Sequence, residues 1–207
     1  MKKRQFITNA ATLLLGAAAA SAAASASAVT SSEASITTAK PTDAQTILTV
    51  TGSVEKANRG KLDPMLDQLM HKQGIQFERA FQFTLADLEK LAVTTIHPTM
   101  EYDAHPHKLS GPRLIDVLHV VGIKKGNPAK IVFHGVDGYS PEISVELAQK
   151  YNFILATHID DQLLGIGGFG PLFALYDADR IPEAAQKPLS QRFVSCPWGL
   201  YCIEVVV

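Results

Sequence analysis

Phe133-His134-Gly135-Val136-Asp137-Gly138-Tyr139-Ser140 reads as the end of a β-strand running into a tight turn. Ile131 to His134 is apolar and β-branched, which suits a strand packed on a core. Asp137-Gly138 is ordinary turn chemistry, because glycine accepts the backbone angles that such a turn imposes. Glu142 to Val145 then reads as a second strand, and a short helix follows around Leu147. A strand–turn–strand unit closed by a small helix points to a sheet with helices as minor elements.

The flanking sequence agrees. Upstream, Ile47 to Val54 alternates apolar and polar residues and ends at Gly52-Ser53, which reads as a strand and its turn. Phe77, Arg79, Phe81 and Phe83 suggest a further strand. Thr84 is placed to cap a helix over Leu85 to Leu91, with Asp87 three residues on to return the hydrogen bond. Ser110-Gly111-Pro112 looks like the opening of another helix, whose Leu114, Leu118 and Val121 recur at helical spacing and which Gly122 stops. Downstream, Phe153 to Ile159 reads as one apolar strand with Asp160-Asp161 as its turn, and Pro171 to Tyr176 and the carboxyl-terminal run supply the rest. The expected class is α+β, with a mostly β core and short helices.

The amino terminus has the three parts of a signal peptide: Lys2, Lys3 and Arg4, an apolar stretch from Ala10 to Ala20, and a small-residue tail through Ala28. Residues 1–28 are therefore expected to be cleaved on export to the periplasm, leaving no membrane anchor. Lys3-Arg4-Gln5-Phe6-Ile7 resembles a twin-arginine signal with one Arg replaced by Lys. A Thr/Ser/Ala-rich segment to residue 46 reads as a flexible lead-in, and residues 47–207 as one domain. Acidic and basic residues nearly cancel, at a net charge of -1, and no basic stretch interleaved with aromatics offers a surface to nucleic acid.

The chemistry-bearing residues are few. His97, His105 and His107 lie near prolines without the spacing of a metal motif. No Gly-x-Ser-x-Gly elbow presents a nucleophile. Gly165-Ile166-Gly167-Gly168-Phe169-Gly170 precedes a strand rather than opening a helix, so it reads as backbone that either turns tightly or lets a ligand approach. Asp137, Tyr139 and the sole tryptophan, Trp198, sit in turns where a carboxylate and aromatic rings can meet a flat ligand. Cys196 and Cys202 flank Pro197-Trp198-Gly199 in what reads as two short strands, and are either a disulfide across that turn or two buried thiols.

Taken together, Ser110-Gly111-Pro112-Arg113-Leu114-Ile115-Asp116-Val117-Leu118, Phe133 to Ser140, Ile154-Leu155-Ala156-Thr157, Gly170-Pro171-Leu172 and Trp198 followed by Ile203-Glu204-Val205 resemble, in order and spacing, the sulfite-oxidase-like molybdopterin-binding domain. The resemblance implies that fold for residues 47–207. It also exposes departures. The family's molybdenum-binding cysteine should fall between Thr94 and His107, where this chain has none. Where the family holds the cofactor's phosphate with cations, this chain has Gly168, Phe173 and Pro197. Such a pocket would require no cofactor and would take a bare pterin as ligand, against Trp198, Tyr139, Phe169, Tyr102, Arg113 and the carboxylates of Asp137 and Asp160. The resemblance thus implies a non-enzymatic periplasmic pterin-binding regulator of a membrane-bound cyclic-di-GMP synthase/phosphodiesterase. The alternative is a molybdopterin-dependent oxidoreductase with an altered metal site, ligated through His97, His105 or Tyr102.

Overall fold

A computed structural model describes residues 44–123 and 129–206. The expected signal peptide and all but the end of the lead-in lie outside the described residues. Strand β1 (Thr46–Gly52) is followed by α1 (Gln68–Lys72), β2 (Phe81–Thr84), α2 (Leu85–Glu89), β3 (Val93–Ile96), β4 (Leu109–Pro112) and α3 (Leu114–Val120). Then come β5 (Lys130–Gly135), β6 (Glu142–Ser144), α4 (Val145–Lys150), β7 (Ile154–Ala156), β8 (His158–Ile159), β9 (Gln162–Leu163), β10 (Phe173–Leu175), α5 (Pro182–Ala185) and β11 (Leu200–Val206). The chain is α+β, with a mostly β core and short helices. Among the described residues, no helix is long and apolar enough to cross a membrane.

The largest sheet has the order β2-β1-β11-β5-β6. Its centre is the carboxyl-terminal strand, parallel to β1 with Val50 opposite Ile203, and antiparallel to β5 with Ile203 opposite Phe133. Alternation along the strands gives it two apolar faces. Leu48, Val50, Ile131, Phe133, Ile203 and Val205 pack into the main core with Leu114, Val117 and Leu118 of α3 and with Phe153 and Phe173. Each such fully buried ring or aliphatic side chain contributes about 1.5–3 kcal/mol from its removal from water. Cys202 faces the other way, into a smaller cluster with Leu62, Met70, Ile75, Phe77 and Ala80. A second sheet runs β3-β4-β8-β9, and β10 pairs with β7.

Several local expectations hold. Thr84 Oγ1 accepts from the Asp87 N–H at 3.2 Å while Asp87 Oδ2 accepts from the Thr84 N–H at 3.1 Å, so the cap of α2 is reciprocal, although the helix stops at Glu89. Gly122, at φ +98°, ends the chain's turn after α3. Asp160 and Asp161 both adopt positive φ and form the β8–β9 turn.

Four expectations are corrected. Phe77 and Arg79 precede β2 instead of joining it, because the Phe77 ring is drawn into the smaller cluster beneath the Arg59 guanidinium, 5.1 Å from the ring centre. Ser110-Gly111-Pro112 is strand, not helix opening: its residues pair with Thr95, Thr94 and Val93 of β3, and α3 starts after Arg113. Phe153 to Ile159 is divided at Thr157 into β7 and β8, which belong to different sheets, and Phe153 precedes both. The segment before Trp198 forms turns and no strand, and both cysteines are free. Cys196 lies in the main core and Cys202 in the smaller cluster, so the two thiols are buried in separate surroundings.

Candidate functional site

Four connecting segments converge at the site. The loop between β3 and β4 carries Tyr102, the β5–β6 turn carries Val136, Asp137 and Tyr139, the β9–β10 loop carries the glycines and Phe169, and the segment before β11 carries Trp198. Backbone bonds fix their relative placement. The Val136 N–H donates to Gly199 O at 2.9 Å, the Gly199 N–H to Phe169 O at 2.9 Å and the Ala174 N–H to Pro197 O at 3.1 Å. Asp179 joins two of the walls: it accepts from the Thr99 N–H at 2.7 Å and from Arg192 Nη1 at 2.7 Å.

The result is a cleft of about 480 Å³ lined by Tyr102, Val136, Gly167, Gly168, Phe169, Gly170 and Trp198. The Tyr102 and Phe169 rings are tilted at 5.3 Å, and Phe169 stacks on Phe173 at 5.4 Å. Tyr102 is 57% exposed, so a large aromatic face is left for a ligand. The glycine loop both turns tightly and lines the cleft: Gly165 O accepts from the N–H groups of Gly168 and Gly170, at 3.1 and 3.0 Å. Burial, then the charge on Glu101, raise the Tyr102 hydroxyl above the ordinary tyrosine range, opposed by the Trp198 indole.

Beyond the Tyr102–Trp198 wall lies a second cleft of about 230 Å³, reached by Asp137 and Tyr139. Asp137 Oδ1 accepts from the Tyr139 N–H at 3.0 Å, and the Tyr139 hydroxyl donates to Val194 O, which ties the β5–β6 turn to the segment before Trp198. Five residues singled out in the sequence, Trp198, Tyr102, Phe169, Asp137 and Tyr139, are thus brought together. Glu101, which also lines the second cleft, carried no sequence signal.

Arg113 and Asp160 are not at this site. Arg113 forms a bidentate pair with Asp116, at 2.8 and 2.9 Å, and lines a separate cavity between α3 and α4. Asp160 instead ties the β8–β9 turn to the loop that carries Tyr102: its Oδ2 lies 2.6 Å from His107 Nδ1, while His107 Nε2 lies 2.8 Å from Asp103 Oδ2. The hydrogen bond to Asp160, then that to Asp103, raise the His107 pKa, and the His107 hydrogen bond lowers both carboxylates.

The signs define a pH window. The histidine's contribution is complete below its unfolded value of about 6.5 and is lost as pH rises through the raised folded value. The carboxylate contributions are present above about 3.9 and are lost as pH falls through the depressed folded values. The loop is therefore held best between about pH 4 and 6.5. An NMR titration should give His107 a midpoint above the ordinary histidine value; a midpoint at or below it would remove this account.

The residues present do not fit a molybdenum cofactor. His97 is exposed, the His105 side chain is 76% exposed, and among the described residues no group of three His, Cys, Asp or Glu could hold a metal ion. Burial raises both thiols, Cys202 to about 12, so neither is a ready thiolate. Among the described residues, neither cleft is lined by Lys, Arg or His that could hold a phosphate. The chain is similar to a sulfane dehydrogenase. That structure, SoxCD from Paracoccus pantotrophus, superposes with a TM-score of 0.49 at 15% identity, over 77% of this chain and 37% of its own. No protein-family model and no curated protein matches the sequence.

Proposed function

We propose that the chain is a periplasmic pterin-binding protein that takes the ring without metal or phosphate. Loaded with its ligand, it would regulate a membrane-bound cyclic-di-GMP synthase/phosphodiesterase through that protein's periplasmic region. The observation that carries the ligand reading is the cleft itself: aromatic walls at Tyr102, Phe169 and Trp198, a floor of glycine backbone, and no cationic lining among the described residues. A flat heterocycle stacked on such rings gains about 0.5–1.5 kcal/mol per ring beyond area burial, and each hydrogen bond that its edge makes to the glycine backbone would add about 0.5–1.5 kcal/mol. Micromolar binding needs about 8 kcal/mol net, which these contacts and the buried area supply. The order of motifs resembling the molybdopterin-binding domain supports the choice of a pterin among flat ligands.

Calorimetry of the processed chain with a tetrahydropterin is expected to show saturable binding in the micromolar range, with a matching change in Trp198 fluorescence. Absence of both would overturn the ligand reading. Stoichiometric molybdenum in protein isolated from its own cells would establish the oxidoreductase instead. Ligand-dependent capture of the periplasmic region of the signalling protein tests the regulatory half.

A further inference from the structure

The smaller cleft differs in chemistry from the larger one. Tyr102 and Trp198 form the wall common to both, and Tyr139 and Phe193 add further rings on the smaller side. Two carboxylates, Glu101 and Asp137, open onto it, and among the described residues neither forms an ion pair with a Lys, Arg or His. Burial, then the charge on Glu101 and last that on Asp137, raise the Tyr102 hydroxyl, so both carboxylates lie within electrostatic reach of that ring.

Aromatic faces present negative π-density, and a cation set over them is attracted further when the contact is shielded from water. Weakly hydrated organic ammonium groups lose little on entering such a cage, whereas a phosphate or carboxylate would meet two like charges and no donor cation. The volume, about 230 Å³, is ample for a small alkylammonium. The Tyr139–Val194 bond fixes the Tyr139 ring at one side of the cleft.

We infer that this second compartment is a binding site for an organic ammonium group, caged by Tyr102, Tyr139 and Trp198 and neutralised by Glu101 and Asp137. The group is either a free cation or the charged substituent of a ring seated in the neighbouring cleft. The site does not depend on the ring being a pterin.

Tetramethylammonium and butylammonium, added to the processed chain at constant ionic strength, are expected to change Trp198 fluorescence saturably, with a Kd on the order of 1 mM. Sodium at the same concentration should have no effect. Glu101→Gln and Asp137→Asn should each weaken the ammonium ions about tenfold. Glu101→Gln should leave tetrahydropterin affinity unchanged, since Glu101 does not line the larger cleft. If a variant does not fold, NMR shifts of the wild-type Tyr102, Tyr139 and Trp198 rings on adding tetramethylammonium give the answer without it. A ring bearing an aminoalkyl arm that binds more tightly than its uncharged analogue assigns the site to a ligand substituent; equal affinity with tetramethylammonium still binding assigns it to a free cation. No saturable response to either ammonium ion, or an undiminished response in both variants, would overturn the inference. Ammonium binding without tetrahydropterin binding would remove the pterin reading alone.

Discussion

Gly111→Ala should lower the unfolding free energy by about 3 kcal/mol, the upper part of the range for forced overpacking. Strand β4 passes so close to β7 that a Cβ on Gly111 would fall within the Leu155 carbonyl, 2.8 Å from its carbon and 2.9 Å from Ala156 Cα. The obstruction is backbone on the partner strand, and no rotamer change relieves it. Relief would require β4 to withdraw, and β4 also pairs with β3 and β8. Gly60→Ala is the matched control, because a Cβ there meets nothing within 4 Å. Urea denaturation of the two variants should give a large drop in midpoint for the first and almost none for the second; equal midpoints would show that the strands separate easily.

Trp198→Ala should weaken tetrahydropterin about a hundredfold, the loss of nearly 3 kcal/mol from one ring's stacking and buried area. Because the indole walls both compartments, ammonium binding should fall in the same variant. Trp198→Phe keeps a stacking face and should lose no more than about tenfold. Arg113→Ala should leave affinity unchanged, since that guanidinium belongs to the α3–α4 cavity. An alanine variant that folds and binds as the parent does would mean that the ligand site lies elsewhere; calorimetry decides this without the tryptophan signal.

Local chemistry made some of the fold readable. The Thr84–Asp87 pair, the β-branched run of β1 and the Asp160-Asp161 turn each depend on residues adjacent in sequence, and each forms as expected. Ser110-Gly111-Pro112 misled because a Gly-Pro pair before a helical pattern is a common helix opening, whereas here the glycine is needed for close packing against a distant strand. The run from Phe153 to Ile159 is apolar but for Thr157-His158, and because a β-branched threonine suits a strand interior, its presence does not mark the point where the chain leaves one sheet for another. At the site, rings and the turn carboxylate were legible because turns expose them. Asp160 has the same chemistry as Asp137, yet its nearest partner, His107, lies 53 residues away in sequence. Glu101 was invisible for the converse reason: an ordinary surface glutamate in a loop gains its meaning only from rings supplied by other segments.

The two buried thiols also define what the cysteines do in the fold. To join Cys196 to Cys202, at least one of them would have to leave the apolar cluster in which it is buried. In this fold each thiol fills space in its own cluster and is not a covalent tie between the carboxyl-terminal strand and the turn before it.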